Sequence, residues 1–299
     1  LLEYKKSFYQ NALAEATNSE TQTYVFSCPH NRTRIAEFAR VLRRHDIECY
    51  WLKENLEYGD RTFDARWTVI VPVRQPEFRF LKSLLMRRTN FRENIFYDVS
   101  SWTLPLAYGI TQIALKKPVE VTQLERVRIR PEAAGKKLTF SPAVVAYLAD
   151  WRDDESPTML KQLLANGINV RVARKPFSKS GGQNPTNEKG QPKAFETGTL
   201  AIVTGIQRKK LPKIELILKN GANSGVSITP VYSGLSAAGP DLGSGNFRVV
   251  QPAKVAMISG PGVSTYGAGE IWHLLDHQIN MPLTLIRRSR FAKADLSGY

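Results

Sequence analysis

Apolar residues come in short runs along this chain, and their spacing changes between the two-residue period of strands and the 3.6-residue period of helices. Thr23–Ser27 is a β-rich run, and Asn31 after it has the side chain of a helix N-cap. In Arg32–Arg44 the apolar Ile35, Phe38, Ala39 and Leu42 recur at i, i+3, i+4 and i+7, which predicts a helix with one buried face. After His45-Asp46, Ile47–Leu52 reads as a strand, and Phe63–Val73 ends in a dense apolar run. The predicted order is strand, helix, strand, loop, strand.

That order returns. Ala143–Ala149 reads as a strand, Ser156-Pro157 opens the short helix Thr158–Ala165, Asn166-Gly167 ends it, and Ile168–Ala173 is the next strand. Phe195–Ile206 closes the unit as Phe63–Val73 closes the first. Phe63 and Phe195 are 132 residues apart, as are Gln75 and Gln207, whereas Ile47 and Ile168 are 121 apart. The extra eleven residues fall in Phe177–Lys193, a Gly-, Asn-, Lys- and Pro-rich stretch read as a mobile loop. A third unit starts at Ala253–Ser259, passes through Gly260–Gly269 and a helix to about Gln278, and reaches the strand Leu283–Ile286. Phe91–Gln112 fits no simple period, and Lys116–Gly135 alternates as a basic edge strand and linker. The boundary is placed near 135, giving domains 1–135 and 136–299. Long apolar strands joined by helical crossovers predict an α/β fold of repeated βαβ modules with mainly parallel sheets.

Composition narrows the class. At 299 residues, 42% apolar and 10% aromatic, the sequence has the content of about two folded domains. No apolar run approaches the roughly 20 residues of a membrane helix. Leu1-Leu2-Glu3 carries no initiator Met and no secretory-signal pattern, so the chain reads as part of a longer one. The net charge of +15 suits an anionic partner, but the basic residues are dispersed and accompany no nucleic-acid signature, so nucleic acid is not the expected partner. Cys28 and Cys49 are too few for a disulfide framework or a structural zinc site, and they fall at opposite ends of successive strands.

No stretch completes a catalytic constellation. His45 and Glu48 have H-x-x-E spacing but straddle a helix end and a strand start. Cys28 follows a strand, yet Pro29 removes the most useful oxyanion amide, and no nucleophile elbow occurs. His273, Asp276 and His277 share a helix face without a third element to complete a metal site, and they read as ordinary polar residues of a partly exposed helix. The glycine-rich turn from Gly260 through Gly262 and Ser264 to Tyr266, with Glu270 and His273 on the following helix, is the candidate ligand-binding segment. Its backbone amides and helix start have the chemistry of an anion cradle, although Thr265 breaks the dinucleotide fingerprint and Pro261 removes a donor.

The segment Phe96-Tyr97-Asp98-Val99-Ser100-Ser101-Trp102-Thr103-Leu104-Pro105-Leu106-Ala107-Tyr108-Gly109 resembles a signature of bacterial zinc-carboxypeptidase-like proteins, in the region after their peptidase domain. Gln75-Pro76, the repeated Phe63-Asp64 and Phe195-Glu196, and Gly267–Asp276 resemble the same region. The resemblance implies an exported parent protein whose zinc is bound upstream, with no metal ligand or cofactor in this chain. It further implies flavodoxin-like modules similar to class I glutamine amidotransferases, though this chain lacks their nucleophile elbow and His-x-Glu pair. The expectation is a non-catalytic region that supports its own upstream peptidase domain or binds a peptide, glycan or envelope partner outside the cytoplasm. The alternative is an amidotransferase-like enzyme or a nucleotide or small-molecule binder using Gly260–Glu270.

Overall fold

In the computed structural model, helix α1 (Leu2–Thr17) leads into strand β1 (Thr23–Ser27), helix α2 (Arg32–Arg44) and strand β2 (Tyr50–Leu52). A hairpin of β3 (Leu56–Tyr58) and β4 (Arg61–Phe63) separates these from β5 (Thr68–Pro72). Helices α3 (Phe78–Leu85) and α4 (Leu104–Ala107) and strands β6 (Thr111–Leu115) and β7 (Leu124–Arg126) follow. The described residues are 1–29, 31–87, 103–120, 124–127, 140–141, 144–179, 184, 186 and 190–299, and the chain divides into two compact units, Leu1–Ala134 and Gly135–Tyr299. Half of the aromatic signature, 96–102, lies outside the described residues.

The first unit's sheet runs β6-β1-β5-β2-β7 with every neighbouring pair antiparallel. Asn31 caps α2, its Oδ1 accepting the Arg34 amide at 2.9 Å, and the stripe Ile35, Phe38, Ala39 and Leu42 is buried against Phe26, Val69 and Val71. Ile35, Phe38 and Leu42 each contribute on the order of 1.5–3 kcal/mol when buried. Along β1 and β5 the alternate residues Val25 and Ile70 point to the other face, where Phe63 of the hairpin covers them.

The second unit repeats the arrangement with β8 (Ala146–Ala149), α5 (Ser156–Ala165), β9 (Arg171–Ala173), the hairpin β10 (Phe177–Lys179) and β11 (Lys193–Phe195), and β12 (Leu200–Val203). After these come α6 (Leu211–Asn223), β13 (Ile228–Val231) and β14 (Phe247–Val249). Its sheet order is β13-β8-β12-β9-β14, again antiparallel throughout. Gly221 lets α6 lie close to α5, since a Cβ there would stand 2.6 Å from Met159 Sδ. The chain continues as β15 (Val255–Ser259), α7 (Thr265–Trp272), a π-helical turn His273–Gln278, β16 (Leu283–Arg287) and α8 (Arg288–Phe291). Among the described residues only β15 and β16 pair in parallel, and no residue from 251 to 299 is buried.

The expectation of mainly parallel, flavodoxin-like or amidotransferase-like sheets is therefore overturned. In each unit the first and second strands do point the same way, as a helical crossover requires, but the third strand lies between them and runs against both. This is the split βαβ arrangement, with a fifth strand added beyond the second. The dense apolar runs that resemble parallel-sheet strands arise because both faces are covered, by helices on one side and by a hairpin on the other. The stretch read as a loop, Phe177–Lys193, closes into the β10–β11 hairpin at its ends. Among the described residues no helix is long and apolar enough to cross a membrane.

Candidate functional site

Helix α5 carries two faces. Met159 and Leu163 point into the second unit's core. Pro157, Leu160, Lys161 and Leu164, at i, i+3, i+4 and i+7, line the opposite side. There they form one wall of an open cleft of about 650 Å³. Trp151, just ahead of the helix, extends that wall. The facing wall comes from Val250–Val255, which leaves β14 and enters β15, and from Ile279, Met281, Pro282 and Thr284 around the start of β16, with Tyr299 beside them.

The volume is in the range of ligand-binding clefts. Its lining is mostly apolar, and the charged side chains in it are Lys161 and Lys254, with no Asp or Glu. Among the described residues neither ammonium has an ion-pair or hydrogen-bond partner. Such a surface can hold aliphatic or aromatic groups and neutralise an acidic one.

Other buried polar groups face the fold itself. Lys179, fully buried, donates to the carbonyls of Leu235 (2.8 Å), Gly234 (3.1 Å) and Ser233 (3.4 Å). Burial pushes its pKa down to about 8. Asp153 is 1% exposed; its Oδ2 accepts the Ser227 amide at 2.6 Å, while Oδ1 has no partner among the described residues. Burial pushes this carboxyl up to about 6, against the lowering effect of the Ser227 amide.

The segment singled out in the sequence forms a local turn. Gly260 (φ +101°) and Gly262 (φ +82°) both take left-handed backbone, and Ser264 Oγ accepts the Gly267 amide at 3.3 Å, capping α7. Arg288 reaches back to donate to the Pro261 carbonyl at 3.3 Å, lying beside Gly262. Tyr266 is 87% exposed, and Glu270 and His273 are also exposed. His273 stacks on His277 at 5.4 Å between ring centres, and Trp272 meets His277 edge-on at 4.8 Å. None of Gly260, Gly262, Ser264, Tyr266, Glu270 or His273 lines the cleft. Among the described residues no three His, Cys, Asp or Glu side chains gather as a metal site. His45 packs edge-on against Phe80, and Cys28 and Cys49 are buried thiols outside any disulfide. Burial pushes the Cys49 thiol up to about 12.

Sequence reading missed the cleft. The stripe of α5 was present as a spacing, but its facing wall is built from residues about 90 to 130 positions later, and no local pattern announces that meeting. No family model, no curated protein and no solved structure matches the chain.

Proposed function

We propose that this chain is a non-catalytic binding region, and that its second unit holds a peptide segment in the cleft between α5 and Val250–Thr284. The observation that carries this reading is the cleft itself: an open, mostly apolar channel with two uncompensated lysines. A peptide fits that chemistry because apolar side chains are spaced along a backbone that stays solvated in an open channel. A glycan fits it poorly, because sugar hydroxyls need many directed partners and the uncharged polar groups here are Gln251, Thr284, the Tyr299 hydroxyl and the Trp151 indole N–H.

In this reading the chain works beside the peptidase domain of an exported zinc-carboxypeptidase-like protein, presenting or retaining polypeptide near it. The resemblance of Phe96–Gly109 and Gly267–Asp276 to such proteins supports that setting, and zinc would belong to the upstream domain.

A phage-displayed library of random heptapeptides, selected on the intact chain, tests the reading. Clones should enrich on the parent chain and be lost on Leu164→Asp, which places a charge in the apolar wall, provided the variant keeps its melting transition. Enrichment that Leu164→Asp leaves untouched, or no enrichment at all, overturns it.

A further inference from the structure

The cleft's charge goes beyond peptide binding in general and points to one class of peptide. Four observations bear on it. Lys161 projects from the same stripe of α5 as Leu160 and Leu164, so a cation stands within a turn of the apolar contacts. Lys254 stands on the facing wall, just before Val255 enters β15. No acidic side chain lines the cleft to neutralise either one. Both lysines also lack partners among the described residues.

We infer that the occupant is an acidic, apolar peptide. Its aliphatic side chains lie on Leu160, Leu164, Val255 and Met281, and its carboxylates pair with Lys161 and Lys254. The inference rests on the peptide-binding reading above and specifies its ligand. Two lysines on opposite walls select for acidic residues on both edges of an extended segment, since successive side chains of a strand point to opposite sides. Basic peptides are rejected by the same charges.

Residues 135–299 carry 21 Lys and Arg against 11 Asp and Glu, so a general field attracts any acidic peptide and must be separated from a specific pairing. Calorimetric titration with three capped hexapeptides makes the separation: two leucines on either side of a central pair of glutamates, of glutamines or of lysines, the central pair pointing to opposite edges of the extended chain. At low salt the glutamate peptide should bind about tenfold more tightly than the glutamine peptide, and the lysine peptide should not bind. Raising sodium chloride to 0.5 M should shrink the preference to threefold or less, as expected for solvent-accessible ion pairs. The double variant Lys161→Gln, Lys254→Gln should bind the glutamate and glutamine peptides equally while keeping the parent's melting temperature within a few degrees. A double change of Arg208 and Lys209, two basic residues outside the cleft, to Gln should keep the full preference. Equal binding of glutamate and glutamine peptides by the parent chain overturns the acidic preference and leaves peptide binding standing. A preference that survives in the lysine double variant assigns it to the general field and overturns the inference. Failure of all three peptides removes both readings.

Discussion

The two split βαβ sheets share a strand order but not the means by which their covering hairpins are held. What they share answers the backbone's own polar groups. Gln75 in the first unit accepts the Glu48 amide through Oε1 at 2.7 Å and donates through Nε2 to the carbonyls of Pro72 (2.5 Å) and Glu48 (3.4 Å). Gln207 in the second does the same with the Asn169 amide (2.8 Å) and the carbonyls of Asn169 (3.0 Å) and Val203 (2.9 Å). Both glutamines therefore clamp the residue two positions ahead of the second strand. The hairpins differ. In the first unit β3–β4 packs with Leu56 and Phe63, and Asn55 Oδ1 beside it accepts the Ala65 amide at 3.0 Å. In the second, Phe177 and Phe195 stack at 5.1 Å, Lys179 gathers three carbonyls, and Gly239 passes directly beneath the strand. Sheet edges impose one solution twice, while covering segments are free to diverge.

The largest expected break in this comparison is at Gly239. Its φ is +79°, and a Cβ there would stand 2.5 Å from the Pro176 carbonyl and 2.9 Å from Phe177 Cα. Gly239→Ala should cost roughly 2–4 kcal/mol in urea unfolding, combining backbone strain with a clash against backbone that cannot swing away. The control is Gly59→Ala in the first hairpin, where φ is +63° but nothing lies within 4 Å of a new Cβ. That change should cost only about 1 kcal/mol. Equal losses at the two sites would mean that the second hairpin is no more tightly seated than the first.

Next in size are the glutamines. Gln75→Leu and Gln207→Leu each leave one amide and two carbonyls without their partner, which should cost about 2 kcal/mol apiece. The half-buried Gln207 should lose somewhat less than the buried Gln75. A large loss at one site with none at the other would show that the matching geometry is not matched by energetics.

The glutamine spacing of 132 and the helix-to-strand spacing of 121 were both legible in the amino-acid order, and the clamp explains why those positions correspond. Helix α2 was equally legible, because its stripe and its Asn31 cap are local. Strand adjacency was not. Whether β5 pairs beside β1 and β2 or lies between them depends on the return path of the chain, and the apolar pattern is the same when a hairpin rather than a second helix layer covers the other face. Strand β6 begins at the end of a stretch without a clear period, and α6 keeps helical spacing through Ile214, Ile217, Leu218, Gly221 and Ala222, but its last two buried positions are small residues that carry little apolar signal. The cleft failed to show for a further reason: Pro157, Leu160 and Leu164 look like core residues until the facing wall is known.

The smallest and most informative effect is expected at Asp153, which has no counterpart in the first unit, where the loop between first strand and helix is capped by Asn31 instead. Burial raises this carboxyl from 3.8 to about 6, so the folded chain holds a proton that the unfolded chain releases between those values. Stability from this group is therefore highest below about pH 4 and falls as pH rises through about 6, by at most about 3 kcal/mol. Asp153→Asn keeps an oxygen for the Ser227 amide and removes the buried charge, at the cost of placing an amide NH₂ where Oδ1 finds no partner. The net gain should be about 1 kcal/mol at pH 7.5, vanishing or reversing at pH 4.5, where the parent carboxyl is protonated. Urea unfolding of parent and variant at the two pH values measures it. A gain of the same size at both pH values would assign the effect to packing rather than charge, and would remove the electrostatic contrast drawn between the two first-strand loops.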